Sequence, residues 1–180
     1  VERDLAFLEN YFCRYHIAQI SAKKTIDVIR KAKNEGKIFT TGVSINNLSL
    51  NENDIGDFKT FLKLSPPLRT EEDRLALVEA LNNKTIDVIV SDHKPEDEES
   101  KRLTFAQAAT GSSGVETLLS LSLELFHNES VKLETLIEAL TSNPAKILKI
   151  NKGNLTIGNN ADFCIVDIFE PWVVKKNNLF

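Results

Sequence analysis

The stretch TIDVIVSDHKPEDEESKR, residues 85–102, decides the fold. It opens with TIDVIVS, a short run of β-branched and apolar residues that is typical of a buried strand. Asp92 and His93 follow directly, and a run of charged residues comes after them. We therefore expect a buried strand that ends in a carboxylate and an imidazole.

Two more strands are predicted upstream, at 15–21 and 37–44, and helices are predicted at 22–35 and from 71 to about 81. The β-α-β-α-β order predicts parallel strands with covering helices. Either a doubly wound sheet or part of a (β/α) barrel would satisfy this order.

Three sequence patterns predict where helices begin. Thr70 is the expected N-cap of the helix after SPPLRT, with Asp73 three residues later. Ser113 and Glu116 match the capping box S-x-x-E, although the surrounding GSSG could also cradle an anion. Asn143 is the expected cap of the helix in NPAKILKI.

Composition limits the function classes. The chain has 180 residues, 42% of them hydrophobic, with a net charge of −4 and a pI near 5.5. An acidic chain is not expected to bind nucleic acid, and no apolar run approaches the roughly 20 residues of a membrane span. Cys13 and Cys164 lie far apart and form no CxxC pair, which favours a reducing cytoplasm. Because the chain begins at Val1 and contains no Met, we expect it to be part of a longer protein.

Composition shifts near residue 150, which is a plausible domain boundary. The tail at 155–174 is expected to form short strands with Gly turns, and Trp172 is expected to cover part of their apolar face. The predicted domains are therefore 1–150 and 151–180.

The strand ends are the candidate chemical sites, because α/β barrels build active sites from loops at the carboxyl ends of their strands. Asp92 could bind a divalent metal or act as a general base, or it could simply form an Asx-turn beside a solvated charge run. His16 lies inside a predicted strand and His127 at a helix end, so both are expected to have structural roles.

The segments KLSPPLRTEEDR, VSDHKPEDEESKR, LTSNPAKIL and KGNLTIGNNADFCIVD, in this order, resemble the C-terminal half of dihydroorotase, in the amidohydrolase superfamily. The second, dihydroorotase-like bacterial type is the most similar. The resemblance implies the C-terminal part of a (β/α)8 TIM barrel over 1–150 and a partial β-sandwich over 151–180. It implies a hydrolase of pyrimidine biosynthesis that interconverts carbamoyl-aspartate and dihydroorotate with one or two zinc ions.

Of the zinc ligands that the resemblance implies, those that fall within this chain are mostly changed. Where the family has His after its fifth strand this sequence has Gln19, and where its sixth-strand segment has a His pair it has Asn46 and Asn47. Asp92 matches the Asp that the family has after its eighth strand. Amide oxygens are poor zinc ligands, so the resemblance implies a degraded metal site.

The resemblance also implies substrate contacts. His93, Ser65 and Gly111 fall in the corresponding segments, with Ser65 replacing an Asn before Pro-Pro-Leu-Arg. Glu96 replaces a second, substrate-contacting His, and its charge suits a neutral or cationic ring better than anionic dihydroorotate.

Three functions follow as hypotheses. The chain is a working dihydroorotase, a non-catalytic subunit that binds or stabilises aspartate carbamoyltransferase, or an amidohydrolase for another cyclic amide or imide. Because half a barrel exposes unpaired strand edges, it is also expected to pair with the missing N-terminal half or with a second copy.

Overall fold

The computed structural model describes residues 1–9, 11, 13–171 and 173–175. Its centre is a parallel sheet in the order β1-β2-β3, with Ile17 beside Thr41 and Val43 beside Ile89. The strands are β1 His16–Ile17, β2 Thr40–Ser44 and β3 Val88–Val90. The predicted strands and their parallel order are confirmed, although each is shorter than predicted.

Helices alternate with these strands and then close the chain. The α-helices are α1 Glu2–Phe7, α2 Lys23–Asn34, α3 Ile45–Ser49, α4 Glu71–Asn82, α5 Glu98–Lys101, α6 Leu118–His127, α7 Leu133–Ile137 and α8 Asn143–Leu148. Short 3-10 turns lie at Glu52–Ile55 and Thr60–Leu62, and a π-turn at Glu138–Ser142 joins α7 to α8. No helix of the described residues is long and apolar enough to span a membrane.

The core lies between the sheet and its helices. Helix α2 buries Ile26, Ile29 and Ala32 at helical spacing and packs against α4. Strands β1 and β2 approach so closely at Gly42 that a Cβ there would lie 2.5 Å from the carbonyl oxygen of Ala18. The position therefore needs glycine for a packing reason.

The three predicted helix starts have different outcomes. Thr70 is confirmed as the N-cap of α4, since its hydroxyl accepts from the Asp73 amide at 3.2 Å. The capping box is wrong, because α6 begins only at Leu118 with Thr117 as its N-cap. The cap at Asn143 is also wrong. The helix continues through the π-turn, so Asn143 lies inside it and donates to the Asp87 carbonyl at 2.9 Å.

Replacing Thr70 by alanine is expected to lower the free energy of unfolding by about 1 kcal/mol, because the first turn of α4 loses its cap. Urea unfolding of the chain measures this change. Ser113→Ala is the matched control, since Ser113 is exposed and caps no helix. Equal losses in the two variants would contradict the assigned caps.

The tail differs from its prediction. The described part of 151–180 contains no strand, and its apolar side chains face outward, including Leu155, Ile157, Phe163 and Ile165. A β-strand is stable only when further strands or a helix cover its polar backbone and apolar face. The domain boundary near 150 stays a prediction, and Trp172 lies outside the described residues.

Candidate active site

The side chains at the carboxyl ends of the strands meet at one edge of the sheet. Strand β2 ends at Ser44, which lies beside Val90 in β3, and Asp92 follows two residues later. Gln19 follows β1, and its side chain reaches Asp92 across the sheet. This hydrogen bond brings the ends of β1 and β3 together, while the chemical roles of the two residues stay predictions.

Asp92 is held in one orientation by Gln19. The Nε2 atom of Gln19 donates to Oδ1 of Asp92 at 2.6 Å, and both side chains are half-buried. A hydrogen bond to an ionised carboxylate is shorter and stronger than one between neutral groups. Asp92 also has a left-handed backbone, with φ of 51°, which is unusual for a residue with a side chain.

Gly114 allows this backbone to form. A Cβ on Gly114 would lie 2.4 Å from the carbonyl oxygen of Ser91, the residue before Asp92. The glycine therefore lets its loop contact the backbone of the residue directly before Asp92.

His93 is oriented by the same loop. Its Nδ1 accepts hydrogen bonds from the amides of Gly114 at 3.2 Å and Val115 at 3.3 Å. Because Nδ1 accepts, the ring proton lies on Nε2, which can donate to a bound ligand. The GSSG segment was expected to cap a helix or to cradle an anion, whereas its Gly114 amide donates to His93.

Gly111 supports the loop through its backbone. Its φ is 144°, and a Cβ would lie 2.5 Å from the Lys94 carbonyl oxygen. The Gly111 amide donates to the Lys63 carbonyl at 2.9 Å, and the Lys94 amide donates to the Ser112 carbonyl at 2.9 Å. The substrate contact of Gly111 stays a prediction, since its amide is already bonded within the protein.

Two lysines fix the loop between α5 and α6 through hydrogen bonds, and neither contact was predicted from the sequence. Lys63 donates to two loop carbonyls at 2.8 Å each, and Lys101 donates to a third at 2.8 Å. The acceptors are Ala106, Ala108 and Ala109. Burial lowers the pKa of Lys101. The charged run EDEESKR was expected to be a solvated loop face, so its sequence did not indicate that Lys101 would hydrogen-bond to the protein.

Glu96 forms an ion pair, and Ser65 lies on the surface. The Glu96 carboxylate pairs with Lys94 at 3.3 Å, which offsets its charge. Ser65 is exposed and precedes a cis peptide bond to Pro66. Its substrate role stays a prediction.

Asn46 and Asn47 are buried residues of α3. Asn47 donates to the Pro67 carbonyl at 3.1 Å and so links α3 to the SPPLRT turn. The Nδ2 of Asn46 and the Oδ1 of Asn47 are buried without a hydrogen-bond partner among the described atoms.

The strand order corrects the expected ligand positions. If β3 corresponds to the family's eighth strand, then β2 is the seventh and β1 the sixth, because the three strands are hydrogen-bonded neighbours in that order. Gln19 then occupies the sixth-strand ligand position that the resemblance implies. Asn46 and Asn47, at the end of the seventh strand, occupy none.

The side chains at this edge do not fit a zinc site. Zinc sites take three or four imidazole, thiolate or carboxylate ligands. Within the described part of the chain, no three His, Cys, Asp or Glu side chains are grouped to hold a metal. The edge offers the carboxylate of Asp92 and an amide that already donates to it.

His16 lies at the opposite end of β1, and its structural role is supported by its contact with Thr40, at 2.8 Å between Nδ1 and Oγ1. Burial lowers the pKa of His16 below its ordinary 6.5, while Asp87 opposes the shift.

Because the folded pKa of His16 is lowered, the unfolded chain binds more protons, so stability should fall as pH drops below 6.5. Urea unfolding between pH 7.5 and about 5.5 measures this slope. A His16→Gln variant with an unchanged slope would contradict the assignment.

Comparison with known proteins identifies relatives of the chain. Residues 3–179 match the model of the amidohydrolase family. The dihydroorotase of Ehrlichia canis (strain Jake) is 41% identical over 175 residues, which are 97% of this chain and 39% of that protein. The dihydroorotase of Anaplasma phagocytophilum (strain HZ) is 40% identical over 97% of this chain and 39% of its own length. The chain thus spans about two fifths of these curated relatives.

Solved structures share the fold. The L-hydantoinase (dihydropyrimidinase) of Arthrobacter aurescens superposes with a TM-score of 0.84 and 29% identity, over 89% of this chain and 37% of that chain. A dihydropyrimidinase of Brevibacillus agri superposes with a TM-score of 0.81 at 22% identity, over the same shares.

Proposed function

Because the chain belongs to the amidohydrolase family, we propose that it forms part of a cyclic amidohydrolase that interconverts dihydroorotate and carbamoyl-aspartate. The observation that carries this proposal is Asp92, fixed by Gln19 at a strand end beside an oriented His93. The similarity to dihydroorotases over 97% of the chain supports the choice of ring.

Asp92 and His93 have complementary roles in ring opening. Asp92 accepts a proton from the water that attacks the ring carbonyl, as a general base. The Nε2–H of His93 donates to an oxygen of the substrate, because the Gly114 and Val115 amides hold its other nitrogen. The C–N bond of the ring then breaks, and the departing nitrogen takes the proton that Asp92 accepted from the water.

We propose that the active unit contains further barrel strands. Among the described residues β1 and β3 each pair on one side only, which leaves two sheet edges open. These edges, like the outward apolar side chains of the tail, suit a polypeptide that carries the first barrel strands, or a second copy of this chain.

The test uses a fusion protein. It joins residues 1–180 to the part of the Ehrlichia canis dihydroorotase that precedes the matched 175 residues. We expect the fusion to open dihydroorotate. Turnover of hydantoin or dihydrouracil without turnover of dihydroorotate would overturn the choice of ring in favour of a neutral cyclic amide.

A second function is a non-catalytic subunit that binds aspartate carbamoyltransferase. Gln19 favours it, because an amide stands where the resemblance implies an imidazole ligand. Co-purification of the fusion with the carbamoyltransferase, together with absent turnover, is the result this alternative predicts. Turnover without co-purification would exclude it.

A further inference from the structure

We infer that Gln19 replaces a metal ligand as the group that fixes Asp92, so that no divalent ion is shared between the ends of β1 and β3. The inference deepens the proposed function, on which it rests for the location of the active site. It concerns metal content, which is measured separately from turnover.

The contact itself excludes a shared ion. The 2.6 Å between Nε2 of Gln19 and Oδ1 of Asp92 is a direct hydrogen bond. Zinc lies about 2.0–2.2 Å from each of its oxygen or nitrogen ligands, so an ion between the two atoms would push them apart. An amide N–H also has no free electron pair to offer a cation.

Rotation of the amide does not restore a site. Turning Gln19 by 180° about its last bond would place Oε1 against the carboxylate, and two acceptors would face each other at 2.6 Å. Only a cation could hold that arrangement, and the neutral amide oxygen is a weak ligand for zinc. The donating orientation is therefore the stable one.

No nearby imidazole compensates for the amide. His93 directs Nδ1 to the Gly114 and Val115 amides, and His16 lies at the other end of β1 against Thr40. The third histidine, His127, contacts the Ile168 carbonyl at 2.8 Å. Every histidine of the sequence thus has a protein partner away from Gln19.

Asp92 does not need a metal to hold its position. Its left-handed backbone is packed beneath by the contact between Ser91 and Gly114, and Gln19 fixes its side chain. Gln19 is therefore a positioning residue. Its hydrogen bond fixes the position of the carboxylate, as a bound cation would in a site with two imidazole ligands.

The test compares the zinc content of the fusion with that of two variants. Gln19→His restores an imidazole beside Asp92, and Gln19→Leu removes the hydrogen bond without adding a ligand. Each protein is dialysed against zinc, then against buffer, and its zinc is counted by mass spectrometry. With the remaining ligands supplied by the fused part, we expect Gln19→His to hold one zinc ion more than the parent fusion. Gln19→Leu should hold the same number as the parent.

Two results would overturn the inference. One is an equal zinc count in the parent and a folded Gln19→His variant, since the amide would then not be what excludes the ion. The other is loss of a zinc ion in Gln19→Leu, since Gln19 would then be a ligand. Absent dihydroorotate turnover with the expected zinc difference would sink the proposed ring chemistry alone, because the zinc counts do not depend on turnover.

Discussion

Replacing Asp92 by asparagine is expected to lower kcat for dihydroorotate ring opening by the fusion about 10²–10⁴-fold, the usual contribution of a general base. The amide keeps the size of the side chain but cannot take a proton from water. Steady-state assays at pH 7 measure the loss. KM should change much less, because the substituted group acts on the attacking water.

Asp97→Asn is the matched control for this prediction. Asp97 caps α5 by accepting from the Ser100 amide at 2.8 Å, and asparagine caps helices equally well. We expect the control to keep the parent activity. An Asp92→Asn fusion that works within a few-fold of the parent would remove Asp92 from the chemistry.

Replacing Gly114 by alanine is expected to have the second large effect. The new methyl group would lie 2.4 Å from the Ser91 carbonyl oxygen, which is backbone and cannot rotate away. Overpacking of this kind costs about 1–3 kcal/mol of stability. Because Ser91 precedes Asp92 and the Gly114 amide orients His93, the strain also moves both candidate groups.

A displacement of about 1 Å can cost roughly 10²-fold in rate, so we expect a loss of that order in kcat for Gly114→Ala. Urea unfolding and turnover of the fusion are measured together. Ser113→Ala, one residue earlier and exposed, should leave both unchanged. If Gly114→Ala keeps parent activity and stability, the two loops are not in the close contact described.

Local sequence patterns were sufficient wherever one element determines the outcome. Short β-branched and apolar runs predicted the strands, and Thr70 before an acidic turn predicted the start of α4. The position of Asp92 at a strand end followed from the same pattern. Each of these features depends on side-chain spacing within one element.

Features that depend on two distant segments were not predictable. The capping box predicted at Ser113 does not form, and the Gly114 amide of the same loop instead contacts His93. Lys101 donates a hydrogen bond to a loop carbonyl, which the charged run around it did not indicate. Which barrel strand precedes Gln19 could be inferred only from the hydrogen-bonded order of the sheet. The tail strands need covering partners that their own sequence does not supply.

The most direct test of the central claim is dihydroorotate ring opening by the fusion, compared with the intact Ehrlichia canis dihydroorotase and with the fusion carrying Asp92→Asn. We expect turnover that is measurable in the parent fusion and about 10²–10⁴-fold lower in the Asp92→Asn variant. A folded fusion without turnover, beside an active Ehrlichia enzyme under the same conditions, would contradict it.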